Sequence, residues 1–448
     1  MRIDVLADSD TRWKWGALLA GQLCPEGGAE VHAHLLRGRA TPTGRQLAEV
    51  GVVPASLRET TVADFLAGAG TGTGTEAAAG AGAETGPGEA DVVVLALVGG
   101  GVQALLHGLA RAWHGRPRRP VLVTGYVGVV YEKVADGLLL RAGADVVLAN
   151  SAFDARRFRD LYGPLGIDTG SVVRAALPFL AGDVDRYRPS ENRPFTVCFA
   201  AQPSVPEPRD ARLHLLERCA RHAELHPERR VLVKLRSRPG EHTTHLEEHP
   251  YQRLVARLGR PLPVNCELVY GNMGDILDRT DLLVTVSSTA ALESLRRGIP
   301  TAVLRDAGVR ESLGNHYFTG SGCIASWDQL DAGHLPAADP EWLRDQGVDD
   351  PAPYEGLRKR VAELRGLPAL PPPTPYYTPG NAPAYLPGIL ARYGLASDGT
   401  PLPTAASTAG GAAGPRRAVR RVLAQGARGA YRMGVQHVAP AIRRWGQL

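Results

Sequence analysis

Short apolar runs recur along the first 330 residues, each followed by a segment long enough for a helix. No other feature constrains the fold as strongly. Strands separated by helices pair in parallel, and the helices cover both faces of the sheet. The expected strands of the first half are "RIDVLA" (2–7), "EVHAHLL" (30–36), "DVVVLAL" (91–97), "PVLVTGY" (120–126), "ADVVLAN" (144–150) and "SVVRAA" (171–176). Val92 to Leu97 is apolar without alternation, as a strand buried on both faces requires.

The alternation stops at "LAGDVDRYRPSENRP" (180–194) and restarts. The second set comprises "FTVCFAA" (195–201), "RVLVKLR" (230–236), "CELVYG" (266–271), "DLLVTVS" (281–287) and "PTAVLRD" (300–306), with helices expected over Asp210 to Leu225 and Thr289 to Arg297. The pattern predicts an α/β chain of two doubly wound, Rossmann-like domains, at 1–185 and 186–390, with a linker and basic tail over 391–448. Residues 68–88, built from Gly, Ala, Thr and Glu, have too few large apolar groups to pack and read as a flexible loop. Ligands of such sheets bind at the carboxyl ends of the strands, here in a cleft between the domains.

Composition excludes several classes. No apolar stretch is long enough to span a bilayer, and Met1 runs straight into a strand rather than a signal peptide. The five cysteines (24, 198, 219, 266 and 323) lack metal or disulfide spacing, which suits a reducing cytoplasm. Net charge is +5, yet Pro415 to Leu448 holds eight arginines and no acid; the remainder carries 43 basic and 46 acidic residues, which argues against a nucleic-acid-binding core. The tail has two readings, a peripheral contact with an anionic membrane and a solvated disordered segment. Only four lysines (14, 133, 234 and 359) stand among 47 arginines, so a retained lysine hints at a need for a compact point charge.

Three stretches carry chemistry. "VGGGVQALLHGL" (98–109) follows a strand and opens a helix, but its spacing fits a tight turn better than a dinucleotide fingerprint. In "VLVKLRSRPGEHTTHLEEHPY" (231–251), Lys234 and Arg236 share side-chain parity at a strand end, where cations suit phosphates; Arg238, His242, His245 and His249 follow, and a solvated charged loop is the competing reading. In "DLLVTVSSTAALESLRRGIPTAVL" (281–304) a strand delivers Ser287, Ser288 and Thr289 to a helix start, with Glu293 in its first turns. Free amides and hydroxyls there seat an anion, and Glu293 can accept two sugar hydroxyls. The alternative is a helix cap with a back-reaching glutamate.

The run from the hydroxylic residues through "ALESLRRGIPT" to the next strand resembles the donor half of GT-B glycosyltransferases. Paired serines with a "K-x-[HR]" strand upstream are similar to bacterial sialyltransferases and teichoic-acid glycerol-phosphate polymerases, although "KLR" replaces their lysine followed by "HP". The layout of "ADSDTRWKWGALL", "FAAQPSVPEPRD", "VLVKLR", "YGNMGDILDRTDLLVTVSSTAALESL" and "RESLGNHYFTGSG" resembles an uncharacterised actinobacterial glycosyltransferase family over residues 1 to 330. The resemblance implies a cytoplasmic enzyme that moves a sugar from a nucleotide-activated donor to a glycan, lipid-linked or secondary-metabolite acceptor, without a metal or other cofactor. Gln202, Lys234, Arg236, Ser287, Ser288, Thr289 and Glu293 would hold the donor. Asp10 or Asp8 of "DSD" would be the general base, with Asp10 favoured because Asp8 sits closer to the strand end. Trp13 or Trp15 would form a stacking wall for the acceptor. Two other readings stay open: a magnesium-dependent phosphatase or sugar-phosphate enzyme built on Asp8 and Asp10, and a non-catalytic nucleotide- or sugar-binding protein.

Overall fold

The computed structural model describes residues 1–25, 27–38, 40–70, 89–129, 134–182, 184–238 and 247–402. The basic tail, His242, His245 and residues 71–88 lie outside them.

Seven parallel strands form the first sheet: β1 (Arg2–Ala7), β2 (Glu30–Leu36), β3 (Ser56–Thr60), β4 (Val92–Ala96), β5 (Val121–Gly125), β6 (Val146–Ala149) and β7 (Val172–Arg174), in the order β3-β2-β1-β4-β5-β6-β7. Its helices are α1 (Asp10–Leu23), α2 (Gly44–Ala48), α3 (Val62–Gly70), α4 (Gly99–Ala112), α5 (Val134–Leu139) and α6 (Ala152–Tyr162). The second sheet holds β8 (Thr196–Ala200), β9 (Arg230–Lys234), β10 (Cys266–Val269), β11 (Leu282–Thr285), β12 (Thr301–Leu304) and β13 (Ile324–Ala325), in the order β10-β9-β8-β11-β12-β13. With it come α7 (Arg209–Leu225), α8 (Tyr251–Val255), α9 (Met273–Leu277), α10 (Ala290–Arg297), α11 (Trp327–Asp331) and α12 (Pro340–Asp345); α13 (Glu355–Gly366) and α14 (Leu386–Arg392) end the described chain.

Both sheets reverse winding direction beside their first strand, between β1 and β4 and between β8 and β11. Loops leaving the carboxyl ends of those strands diverge there and open a crevice. Each sheet is apolar on both faces. One apolar cluster joins the domains, running from Val5 and Val94 through α1 to Cys198, Leu283 and Ala291, while separate clusters fill the outer faces. Two doubly wound sheets facing a shared cleft form the GT-B arrangement.

Four details depart from expectation. β3 and β13 are additional edge strands, and residues 68–70 finish α3 rather than begin a loop. α13 packs on β5 and β7, and α14 on α4. Tyr354 fixes this return by donating to the carbonyls of Ala176 and Leu177 at 3.1 and 3.2 Å. Residues 355–390, expected in the second domain, therefore complete the first, together with the end of α14.

Candidate active site in the interdomain cleft

β1 ends at Ala7, and the chain turns through Asp8 and Ser9 into α1. The two acids of "DSD" part here. Asp8 accepts from Arg12 Nη1 at 2.9 Å and from the Val98 amide at 3.2 Å, tying the first turn of α1 to the loop after β4. It braces the switch point. Asp10 begins α1 and reaches across the cleft, where both its oxygens accept from Arg236 Nη2 at 2.9 Å. Gly16 lets α1 lie close against its own sheet, since a Cβ there would stand 2.5 Å from Val5 Cγ1.

The acceptor wall expected of Trp13 and Trp15 is not formed. Their side chains are 0% and 1% exposed, inside the core between sheet and helices. Each ring buries a large apolar area there, which draws it into the core. The glycine run at 99–101 has a packing role at its first position: a Cβ on Gly99 would stand 2.9 Å from Leu140 Cδ1.

From the second domain, β9 delivers Lys234 and Arg236 to the cleft. Lys234 is 9% exposed, and its ammonium donates to the Leu235 carbonyl at 2.7 Å; burial lowers its pKa. β11 leads into Ser287, Ser288 and Thr289, then α10. Ser287 spends its hydroxyl proton on the Leu313 carbonyl at 2.6 Å, and Gln202 grips its amide at 2.9 Å. These two therefore set the loop. Ser288 Oγ accepts from the Ala290 amide at 3.3 Å, and Ser288 and Thr289 face the cavity at the start of α10. Gly298, at φ +75°, stops the helix in a left-handed cap that only glycine adopts without strain, so "GIP" turns directly into β12.

The back-reaching glutamate cap does not form. Glu293 is 9% exposed, and among the described residues its carboxylate makes no hydrogen bond. Burial raises its pKa, opposed first by the nearby ammonium of Lys14 and then by Arg297 and Lys234. A buried carboxylate without partners is costly unless something supplies donors to it.

These groups border one cavity of about 230 Å³, lined by Asp10, Lys14, Lys234, Arg236, Ser288, Thr289 and Glu293 among others. A second cavity, of about 250 Å³, shares Thr11, Val127, Arg236, Ser288 and Thr289 with it and continues to Gln202 and Ser204. Sequence reasoning missed Lys14, whose ammonium lies 5.4 Å from the centre of the Phe179 ring, and Asn272, which donates to the Glu49 carbonyl across the domains at 3.1 Å. Among the described residues no group of three or more His, Cys, Asp or Glu is placed to hold a metal ion. His249 offers its backbone carbonyl to Arg212 at 2.8 Å.

The family model described as "Putative glycosyltransferase (DUF6716)" matches residues 3–364. Among solved structures, the chain is similar to UDP-GlcNAc 2-epimerase from Neisseria meningitidis bound to UDP-GlcNAc, at 9% identity, over 81% of this chain and 99% of that one, with a TM-score of 0.45. It is also similar to Anabaena Alr3699/HepE in complex with UDP-glucose, at 14% identity, over 81% and 98%, with a TM-score of 0.46. The glycotransferase of kitacinnamycin shares 14% identity over 81% and 93%, with a TM-score of 0.37. No curated protein matches the sequence.

Proposed function

The chain belongs to the DUF6716 "Putative glycosyltransferase" family, and from that premise we propose that it transfers a sugar from a nucleotide-activated donor to an acceptor hydroxyl inside the interdomain cleft. The observation that carries this reading is the unpartnered, buried carboxylate of Glu293, in one cavity with a helix N-terminus and cations from both domains. A ribose offers the two hydroxyls that such a carboxylate lacks. The adjoining phosphates then reach the positive end of α10, where they compete with Ser288 Oγ for the weakly held Ala290 amide, together with the Ser288 and Thr289 hydroxyls and the charges of Lys234 and Arg236.

Chemistry follows from the Asp10–Arg236 pair. Donor phosphate competes for the Arg236 guanidinium, which turns from Asp10 toward the ligand. The released carboxylate then accepts the acceptor's proton as its oxygen attacks the anomeric carbon, and the nucleotide leaves with its charge held by the cations and α10. Phosphate charge is assigned to these groups, without a metal ion. The acceptor is a glycan or a lipid-linked molecule, and the arginine-rich tail holds the enzyme at an anionic membrane surface.

The experiment is product formation from a panel of nucleotide sugars with and without a chelator. Turnover of one donor that persists in chelator supports the reading. Turnover abolished by chelator and restored by magnesium would favour the phosphatase-type alternative, and nucleotide binding without turnover would favour a binding protein.

A further inference from the structure

The first two turns of α1 carry Asp10 and Lys14, four residues apart and therefore on one face of the helix. Opposite them the second domain presents Arg236 and Glu293. The four charges are complementary across the cleft, like a ladder of two rungs. Arg236 closes one rung on Asp10 at 2.9 Å. The other rung is open: Lys14 and Glu293 border the same cavity, where the ammonium favours the Glu293 carboxylate, yet no ion pair within 4 Å joins them. Among the described residues, the Lys14 ammonium contacts the Phe179 ring and has no hydrogen-bond partner. The ring face restrains the ammonium without neutralising it.

An open rung of this kind fits a ligand that carries an anion at one end and hydroxyl donors at the other. We propose that Lys14 is the first domain's own contact to the donor, its ammonium binding a phosphate of a ribonucleoside diphosphate whose ribose hydroxyls Glu293 accepts. The inference rests on the donor site proposed above and extends it: the ligand itself completes the ladder and ties the two domains together. A lysine suits this position because a compact ammonium with three rotatable donors can follow a phosphate, whereas a guanidinium fork presents a larger, fixed plane. In a chain with four lysines and 47 arginines, one of the few lysines stands here.

The test is calorimetric titration of the full chain with UDP, CDP, GDP and ADP, then of Lys14→Ala, Lys14→Gln and Lys14→Arg with the diphosphate that the parent prefers and with its nucleoside. Thermal unfolding checks that each variant folds. Lys14→Ala and Lys14→Gln should weaken diphosphate binding by about 10-fold, as expected for a charge-assisted hydrogen bond. They should leave nucleoside binding within about twofold, because the nucleoside carries no phosphate. Lys14→Arg should recover part of the loss. Unchanged diphosphate affinity in the Ala and Gln variants, or an equal loss for nucleoside and diphosphate, would overturn the role of Lys14 while leaving the donor site standing. A parent protein that binds none of the four diphosphates would remove the donor site and this inference together.

Discussion

Asp10 and Arg236 hold each other across the cleft, so changing Asp10 should move binding and chemistry in opposite directions. Both Asp10 oxygens accept from one guanidinium nitrogen at 2.9 Å, with the two side chains 16% and 30% exposed. Partial exposure screens the pair, and contacts of this kind contribute about 0.5–1 kcal/mol. A donor phosphate that recruits Arg236 must first overcome that attraction. In Asp10→Asn the competing charge is gone, so nucleotide affinity should rise by roughly two- to fivefold. Turnover should nevertheless fall by roughly 10²–10⁴-fold, because an amide cannot accept the acceptor's proton. Arg236→Ala should lose affinity instead, through loss of a phosphate contact. Calorimetry for affinity and product formation for rate separate the two effects. An Asp10→Asn protein that binds nucleotide more weakly than the parent, and turns donor over within a few-fold of it, would refute both the competition and the base.

Glu293→Gln should weaken nucleotide binding by roughly 10-fold and flatten its pH dependence. In the parent, affinity should decline as pH falls through the raised pKa of Glu293, since only the carboxylate accepts both hydroxyls; a parent with pH-independent affinity across the acidic range would count against this. Burial lifts Asp154 from 3.8 to about 6, so the folded chain keeps a proton that the unfolded chain releases, and stability falls as pH rises through that window. Asp154→Asn should therefore be more stable than the parent at pH 8 by up to about 3 kcal/mol, with the gain gone near pH 4, as denaturant unfolding at each pH will read. Trp13→Ala should destabilise the fold by about 3–5 kcal/mol without a selective rise in acceptor KM; a stable variant with only a raised acceptor KM would restore the stacking wall. Deleting residues 415–448 should leave turnover on a soluble acceptor intact and abolish salt-sensitive binding to anionic vesicles, whereas full-length protein that ignores such vesicles at low salt would remove the membrane role.

The strands legible in the sequence were those whose apolar runs are buried on both faces, such as β4 and β11. β3 escaped because it is an edge strand, "SLRET", with mostly exposed side chains and no apolar run to mark it. β13 is only two residues long, set by pairing with β12 rather than by its own pattern. The return of α13 and α14 to the first domain depends on contacts between segments far apart in sequence, which local periodicity does not encode. In the site, "SSTAALESLRRGIP" identified the helix start and Glu293, since strand, hydroxyls and glycine cap are all local. The tryptophans misled for a physical reason: residues two apart on a helix point to different sides, and at both positions α1 is buried in the apolar core. Lys14 had a signal in the scarcity of lysine and its spacing from Asp10, but only the cross-domain geometry gives it Glu293 as an opposite.

In this reading the cleft seats a nucleotide with its ribose on Glu293 and its phosphates on the α10 N-terminus. A structure of the parent chain with its preferred nucleoside diphosphate tests this most directly. Ribose hydroxyls should lie within hydrogen-bond distance of the Glu293 carboxylate and phosphate oxygens at the Ser288–Ala290 backbone, with Arg236 drawn away from Asp10. A nucleotide bound outside the cleft, or one bound within it that leaves Glu293 without hydroxyl partners, would contradict it.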